Sequence, residues 1–222
     1  MPDEAATPRR PIRMLVFSAS HREGSLNTKL ALQAREVLEG TGVQVDYATM
    51  QEFDCPSYDG DVEAAEGIPA GAVQLRDRLE AANAFVIVSP EYNASMPGHL
   101  KNAIDWTSRH RPQPFQGRHC LLMSASPSMV GGNRGLWSLR IPLEHLGAPV
   151  YPDMFSFAQA HEGFDEAGAF RLEMLRDRFT HTLVAFADQV EASTHYPCAK
   201  ARWVEFLGEP ASDVIDRVEQ PA

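Results

Sequence analysis

The chain has 222 residues, 44% of them apolar, with 20 Lys and Arg against 30 Asp and Glu and a formal charge of −10. A chain of this length can bury roughly 70% of its extended-state surface without disulfides or a structural metal, so one large domain is expected. Collagen-like, fibrous and wholly disordered classes are excluded. The acidic balance argues against nucleic acid as a partner, since a polyanion needs concentrated positive charge; only Arg9-Arg10-Pro11-Ile12-Arg13 and Arg109-His110-Arg111 are locally basic.

Residues 1–11 carry three prolines and little apolar material and read as a flexible extension. The run Ile12–Phe17 is short, apolar and rich in branched or aromatic side chains, which favours a buried strand ending at Ser18. After a polar stretch, Leu26, Leu30, Ala34, Val37 and Leu38 recur at helical spacing until Gly40 and Gly42. Val43–Tyr47 alternates as a half-covered strand does. Residues 51–70 hold six acidic groups and no basic ones, and read as a solvated excursion. Val73, Leu75, Leu79 and Ala82 resume helical spacing before Ala84–Val88, the strongest central-strand signal.

Pro97 suits the first turn of the next helix, whose inner stripe is Leu100, Ala103, Ile104 and Trp106. His119–Ser124 is a fourth strand, followed by a loop and a helix through Leu136, Leu139, Leu143 and Leu146. Ala148–Val150 together with Met154–Ala158 supplies a fifth strand, and Phe170, Leu172, Leu175, Phe179, Leu183 and Phe186 mark a long final helix. Such alternation implies an α/β fold with a doubly wound, five-stranded parallel sheet and helices on both faces. Beyond residue 190, Trp203–Leu207 and Ser212–Val218 have weak helical character, so 191–222 is expected to be a C-terminal extension, docked or at a subunit contact.

Three cysteines, Cys55, Cys120 and Cys198, form no Cys-x-x-Cys pair and no zinc spacing, as expected of a protein in a reducing cytoplasm. The first residues lack the features of a secretory signal, and the longest apolar runs fall far short of the roughly 20 residues that cross a bilayer. A soluble cytoplasmic protein without membrane contact is expected.

Three polar loops each follow a strand and should gather beyond the carboxyl edge of the sheet, where open α/β sheets bind ligands. In Ser18–Asn27, the hydroxyls of Ser18, Ser20 and Ser25, the amide of Asn27 and helix-start N–H groups could surround a phosphate, with Arg22 as a two-pronged cation. Equally, Ser25 could be only a helix cap and Arg22 a surface charge. Neither Gly-x-Gly-x-x-Gly nor the Walker lysine is present. Pro90-Glu91-Tyr92-Asn93 is a stiff turn presenting a planar face and an amide, suited to a planar polar ring or to a purely structural turn; Glu91 has no partner for acid–base work and is given an orienting role. In Ser124–Arg134, Gly131-Gly132 permits close approach of a ligand, and the serines sit in no Gly-x-Ser-x-Gly elbow.

Together, Ser18–Asn27, the segment from Pro90 through Lys101-Asn102-Ala103-Ile104-Asp105-Trp106, and the Gly131-Gly132 loop resemble the NADPH-dependent FMN reductase family of flavodoxin-like proteins, which includes quinone, chromate and azo-dye reductases. The resemblance spans residues 12–190 and implies sheet order 2-1-3-4-5. It implies FMN as cofactor, with phosphate held by Ser18, Ser20, Arg22, Ser25 and Asn27. The isoalloxazine would contact Pro90, Glu91, Tyr92 and Asn93 and be bordered by Ser124, Ser126, Gly131 and Gly132. His21 stands where relatives commonly have leucine. NADPH or NADH would donate a hydride, with electrons passing to a quinone, azo compound, free flavin or metal oxyanion. A flavodoxin-like electron-transfer or redox-sensing module is the alternative. Relatives commonly form homodimers or homotetramers, which points to the helix of Leu100, Lys101 and Trp106 as a contact, against core packing for the two apolar residues and solvation for Lys101.

Overall fold

A computed structural model describes residues 11–195. The expected extension at 1–11 lies, except for Pro11, outside the described residues, as do Cys198 and the two weak helices beyond residue 200. The elements run β1 (Arg13–Ser18), α1 (Leu26–Gly40), β2 (Gln44–Thr49), α2 (Gly60–Glu66), α3 (Ala70–Ala81), β3 (Ala84–Val88), α4 (Gly98–Thr107), β4 (His119–Ala125), α5 (Asn133–His145), β5 (Phe155–Phe157), α6 (Ala160–Gly163) and α7 (Glu173–His195). All strand pairs are parallel, in the order β2-β1-β3-β4-β5.

The middle residues of the central strands are apolar because both of their faces are covered. In β3, Val86 and Val88 join Met14, Val16, Leu121 and Met123 under α1 and α7. Phe85 and Ile87 join Leu15, Phe17, Cys120 and Leu122 under α3, α4 and α5. The strand period of two divides each run between the two cores. Edge strand β2 is only partly covered, in keeping with its alternating sequence. Cys120 is a small core hydrophobe, and burial pushes its thiol well above the usual range.

Four local expectations need correction. The acidic stretch 51–70 is not free in solvent. It opens with a 3-10 turn at Met50–Phe53, whose Phe53 is buried edge-on to Phe17 at 5.3 Å. Asn102 Nδ2 then donates to the carbonyls of Cys55 (3.1 Å) and Pro56 (2.9 Å), Asn102 Oδ1 accepts from Tyr58 N, and Trp106 Nε1 donates to Pro56 O at 2.8 Å. Phe53 is the one buried residue of the stretch, and α2 buries nothing. Second, Ala148–Val150 adds a single bridge, Cys120 to Val150, and strand β5 is confined to Phe155–Phe157. Third, Phe170 and Leu172 precede α7. Phe170 instead closes a ring cluster with Phe155, Phe157, Phe164 and Phe179, while Leu172 is exposed. Finally, Pro97 caps α4 and lies just outside it.

Candidate active site

The first loop leaves β1 at Ser18 and is pinned at once by Ala19 N donating to Val88 O at 2.9 Å. The chain turns through Gly24, whose φ of +64° favours a residue without Cβ, and enters α1 at Ser25. Ser25 Oγ accepts from Asn27 N at 3.2 Å, Ser20 Oγ accepts from Arg22 N at 3.3 Å, and Ser18 Oγ accepts from Thr28 Oγ1 at 3.1 Å. Three hydroxyls thus line the end of a helix whose first N–H groups have no intrahelical acceptor, an arrangement that favours an anion. The Arg22 guanidinium makes no ion pair or hydrogen bond among the described residues.

Asn27 is placed differently from the expectation. Its Nδ2 donates to Ala125 O at 3.0 Å and its Oδ1 accepts from Ala125 N at 2.9 Å, both buried. Its amide ties the first loop to the end of β4 through one N–H and the oxygen.

The second loop is a tight turn. Tyr92 and Ser95 exchange backbone bonds of 2.9 and 3.0 Å, and the two central residues, Asn93 and Ala94, have φ of 51° and 62°. Two positive φ values mark a type I′ turn, strained for residues other than glycine and therefore stiff. It lifts Tyr92, half exposed, and Asn93 off the sheet edge. Pro90 links this turn to β3, its carbonyl accepting from Ser89 Oγ at 3.0 Å. Glu91 points the other way. Its buried carboxylate accepts from Arg134 Nη2 (2.7 Å) and Nε (3.0 Å) and from Gly135 N (3.0 Å), capping the start of α5. The orienting role therefore fits Glu91; a contact from its carboxylate to a ring does not.

The third loop lies close because two glycines let it. A Cβ on Gly132, at φ +83°, would stand 2.0 Å from Ser124 Oγ, and one on Gly131, at φ +66°, would stand 2.9 Å from Ala158 N. Ser124 is consequently sealed beneath Gly132, its hydroxyl without a partner among the described residues, so it supports the loop from behind and does not face a ligand. Ser126 stays at the surface, its Oγ accepting from Ser128 N at 3.2 Å.

His99, the second residue of α4, was not among the expected site residues. Its Nε2 donates to Ala19 O at 2.9 Å, and its ring meets His21 at 4.5 Å and Tyr92 at 6.2 Å, so it joins the first loop to the second. Burial and the adjacent His99 hold His21 below the ordinary histidine value. The signal for His99 was the paired occurrence of His21 with a histidine at the following helix start, visible only once the two loops are known to touch. The same holds for Asn102 and Trp106, one helical turn apart, whose polar ends hold the 55–58 segment.

The three loops therefore share one edge, joined by Asn27–Ala125, His99–Ala19 and Glu91–Arg134. The model of the NADPH-dependent FMN reductase family matches residues 12–162. The chain belongs to this family. It is 33% identical over 182 residues to a quinone reductase of Escherichia coli K12, covering 81% of this chain and 96% of that one. It is 35% identical over 175 residues to an NAD(P)H-dependent FMN reductase of Pseudomonas aeruginosa, covering 78% and 92%. Among solved structures it resembles the flavoenzyme NAD(P)H:(acceptor) oxidoreductase FerB of Paracoccus denitrificans, with 29% identity, a TM-score of 0.70, and 81% and 97% of the two chains covered. A flavodoxin from the Archaea, at 12% identity and a TM-score of 0.53, shares the fold alone.

The residues present suit a family flavin mononucleotide on structural grounds. The first loop offers serine hydroxyls at a helix start and a guanidinium with no partner among the described residues, and the third is brought close by glycines that a Cβ would displace. No cluster of His, Cys, Asp or Glu able to hold a metal occurs among the described residues. No described helix is long and apolar enough to cross a membrane.

Proposed function

We propose that this member of the family is an NAD(P)H-dependent oxidoreductase that holds FMN across the three loops and passes electrons to a small acceptor, a quinone first among them. When bound, the flavin supplies the hydride chemistry, accepting from nicotinamide and delivering to the acceptor. The chain's own contribution is placement. Arg22 and the Ser18, Ser20 and Ser25 hydroxyls hold the phosphate with the first turn of α1. The I′ turn presents Tyr92 and Asn93 to the ring, and Pro90 and Glu91 fix that turn from below. Gly131 and Gly132 let the third loop border the ring, with Ser126 at its surface and Ser124 supporting it.

No paired acid and base line these loops, in keeping with a reaction governed by stacking and alignment. The exposure of Tyr92 leaves room for flat acceptors of several kinds, including azo compounds and free flavins. We infer also that the working form is a homodimer or homotetramer.

The observation that carries this proposal is the locking of three ligand-type loops at one edge, with no partner for Arg22 among the described residues. Anaerobic mixing of the FMN-loaded protein with NADPH or NADH should bleach the flavin's visible absorption, and a benzoquinone should restore it faster than dissolved oxygen does. Failure of the folded protein to bind FMN would overturn the proposal. Binding without bleaching by either nicotinamide would favour the electron-transfer module instead.

A further inference from the structure

The histidine pair that joins the first two loops has no part in the chemistry proposed above. His21 belongs to the phosphate-type loop, directly before Arg22 and shortly before the Ser25 that caps α1. Its ring stands edge-on to His99 at 4.5 Å, and His99 in turn meets Tyr92 at 6.2 Å, so three rings run from the first loop to the I′ turn. The row is fixed from behind. His99 Nε2 donates to Ala19 O at 2.9 Å, and Gln51 Nε2 donates to His21 O at 3.2 Å, tying the loop to the turn that follows β2. The charges around the His21 ring come from three directions. His99, on α4, disfavours its protonated form, and Asp54, from the segment after the 3-10 turn, favours it. On its own loop the neighbours Arg22 and Glu23 carry opposite signs. Burial is the largest influence and, with His99, outweighs Asp54, so the free loop keeps His21 mostly neutral at pH 7.

We propose that His21 is a proton-coupled binding residue: when the FMN phosphate settles in the first loop, His21 takes up a proton from solvent and becomes a second cation beside Arg22. This inference rests on the FMN reading given above and deepens it, since it states which charge state of the loop the cofactor selects. A phosphate monoester brings between one and two negative charges at neutral pH. The serine hydroxyls, the start of α1 and Arg22 place those charges within the loop that carries His21. The anion then reverses the balance at the ring, favouring imidazolium where burial and His99 had disfavoured it. A histidine serves here as a fixed cation does not, because it adds its charge only while an anion is present. Linkage sets the sign. The proton is held more weakly in the free loop than in the loaded one. FMN therefore binds more tightly as the pH falls from above the loaded value towards the free value, and is indifferent to His21 above both. In the FMN-free chain no anion offsets the new charge, and the same protonation only destabilises the fold.

The test reads binding and proton count, not turnover. Quenching of flavin fluorescence on titration of the full chain should give FMN a dissociation constant about fivefold lower at roughly pH 6.5 than at pH 8. Riboflavin, which has the same ring and no phosphate, should show no such trend. His21→Leu and His21→Gln, at an exposed position, should leave the circular dichroism spectrum unchanged and flatten the FMN profile. Calorimetric titration at about pH 7 in two buffers of different ionisation enthalpy should count roughly half a proton more taken up per FMN by the wild type than by either variant. A folded wild type that binds FMN at no pH would overturn the proposed function and this inference together. FMN binding whose pH profile and proton count are the same in the wild type and both variants, or a riboflavin profile parallel to that of FMN, would overturn the coupling at His21 alone.

Discussion

Arg22 sits beside three hydroxyls and a helix start, where its charge has no anion against it among the described residues. A cation placed so is of use only when an anion arrives. Loss of one charge-assisted contact of this kind costs about 1.5–3 kcal/mol, so Arg22→Ala should weaken FMN binding roughly ten- to a hundredfold. Quenching of flavin fluorescence on titration measures it, and an unchanged dissociation constant would remove Arg22 from the phosphate site. Hydride transfer in the fully loaded variant should change far less. Residue types, order and spacing announced Arg22, the serines and the paired glycines, since their chemistry is local. The same sequence could not say that Asn27 turns inward, because its partner Ala125 is 98 positions away and offers only backbone. Nor could it say that Ser124 would be roofed by Gly132, or that His99 would reach Ala19, for the same reason: each depends on which loops meet.

At the scale of elements, strands and helices were legible wherever burial was complete, and misread where it was partial. The fully covered β3 matches its apolar run residue for residue. The acidic stretch looked solvated because its composition is polar, yet it is held by side chains of α4, and composition carries no trace of a borrowed hydrogen-bond donor. Gly71 makes the docking closer still, since a Cβ there would stand 2.2 Å from Asp54 O. Joining elements through single amides has a testable consequence at Asn27. Asn27→Ala removes two buried bonds and leaves both backbone groups of Ala125 unpaired, about 2–4 kcal/mol in all. For a domain of this size that lowers the melting temperature by very roughly 5–15 °C. Calorimetry of the FMN-free protein isolates this from ligand effects; a fall of less than 2 °C would show that the tie contributes little.

For the whole molecule, stability should decline on mild acidification, and two histidines at opposite ends of the sheet set the window. His110, near the C-terminal end of α4, is held below the ordinary value by burial and then by Arg76. Arg76 Nη1 lies 3.3 Å from His110 Nδ1, and because the guanidinium can only donate, Nδ1 must be the unprotonated nitrogen. Adding a proton there breaks that bond and sets two cations together. His21 is lowered likewise, by burial first and by His99 second, with Asp54 opposing. Both groups bind their proton more weakly in the folded chain than in the unfolded one. Their contribution is therefore intact above the unfolded value of about 6.5, and is lost as the pH falls from there through the lowered folded values. Glu63 also carries a lowered value, chiefly from Arg109, but a carboxylate's window opens only near pH 4 and below, so the two effects separate. Thermal melts between pH 7.5 and 5 should show a steady fall in the wild type. The fall should be shallower in His110→Asn, whose amide oxygen can accept from Arg76 without titrating, and shallower again with His21→Leu added. Parallel curves for all three proteins would assign the acid sensitivity to other groups.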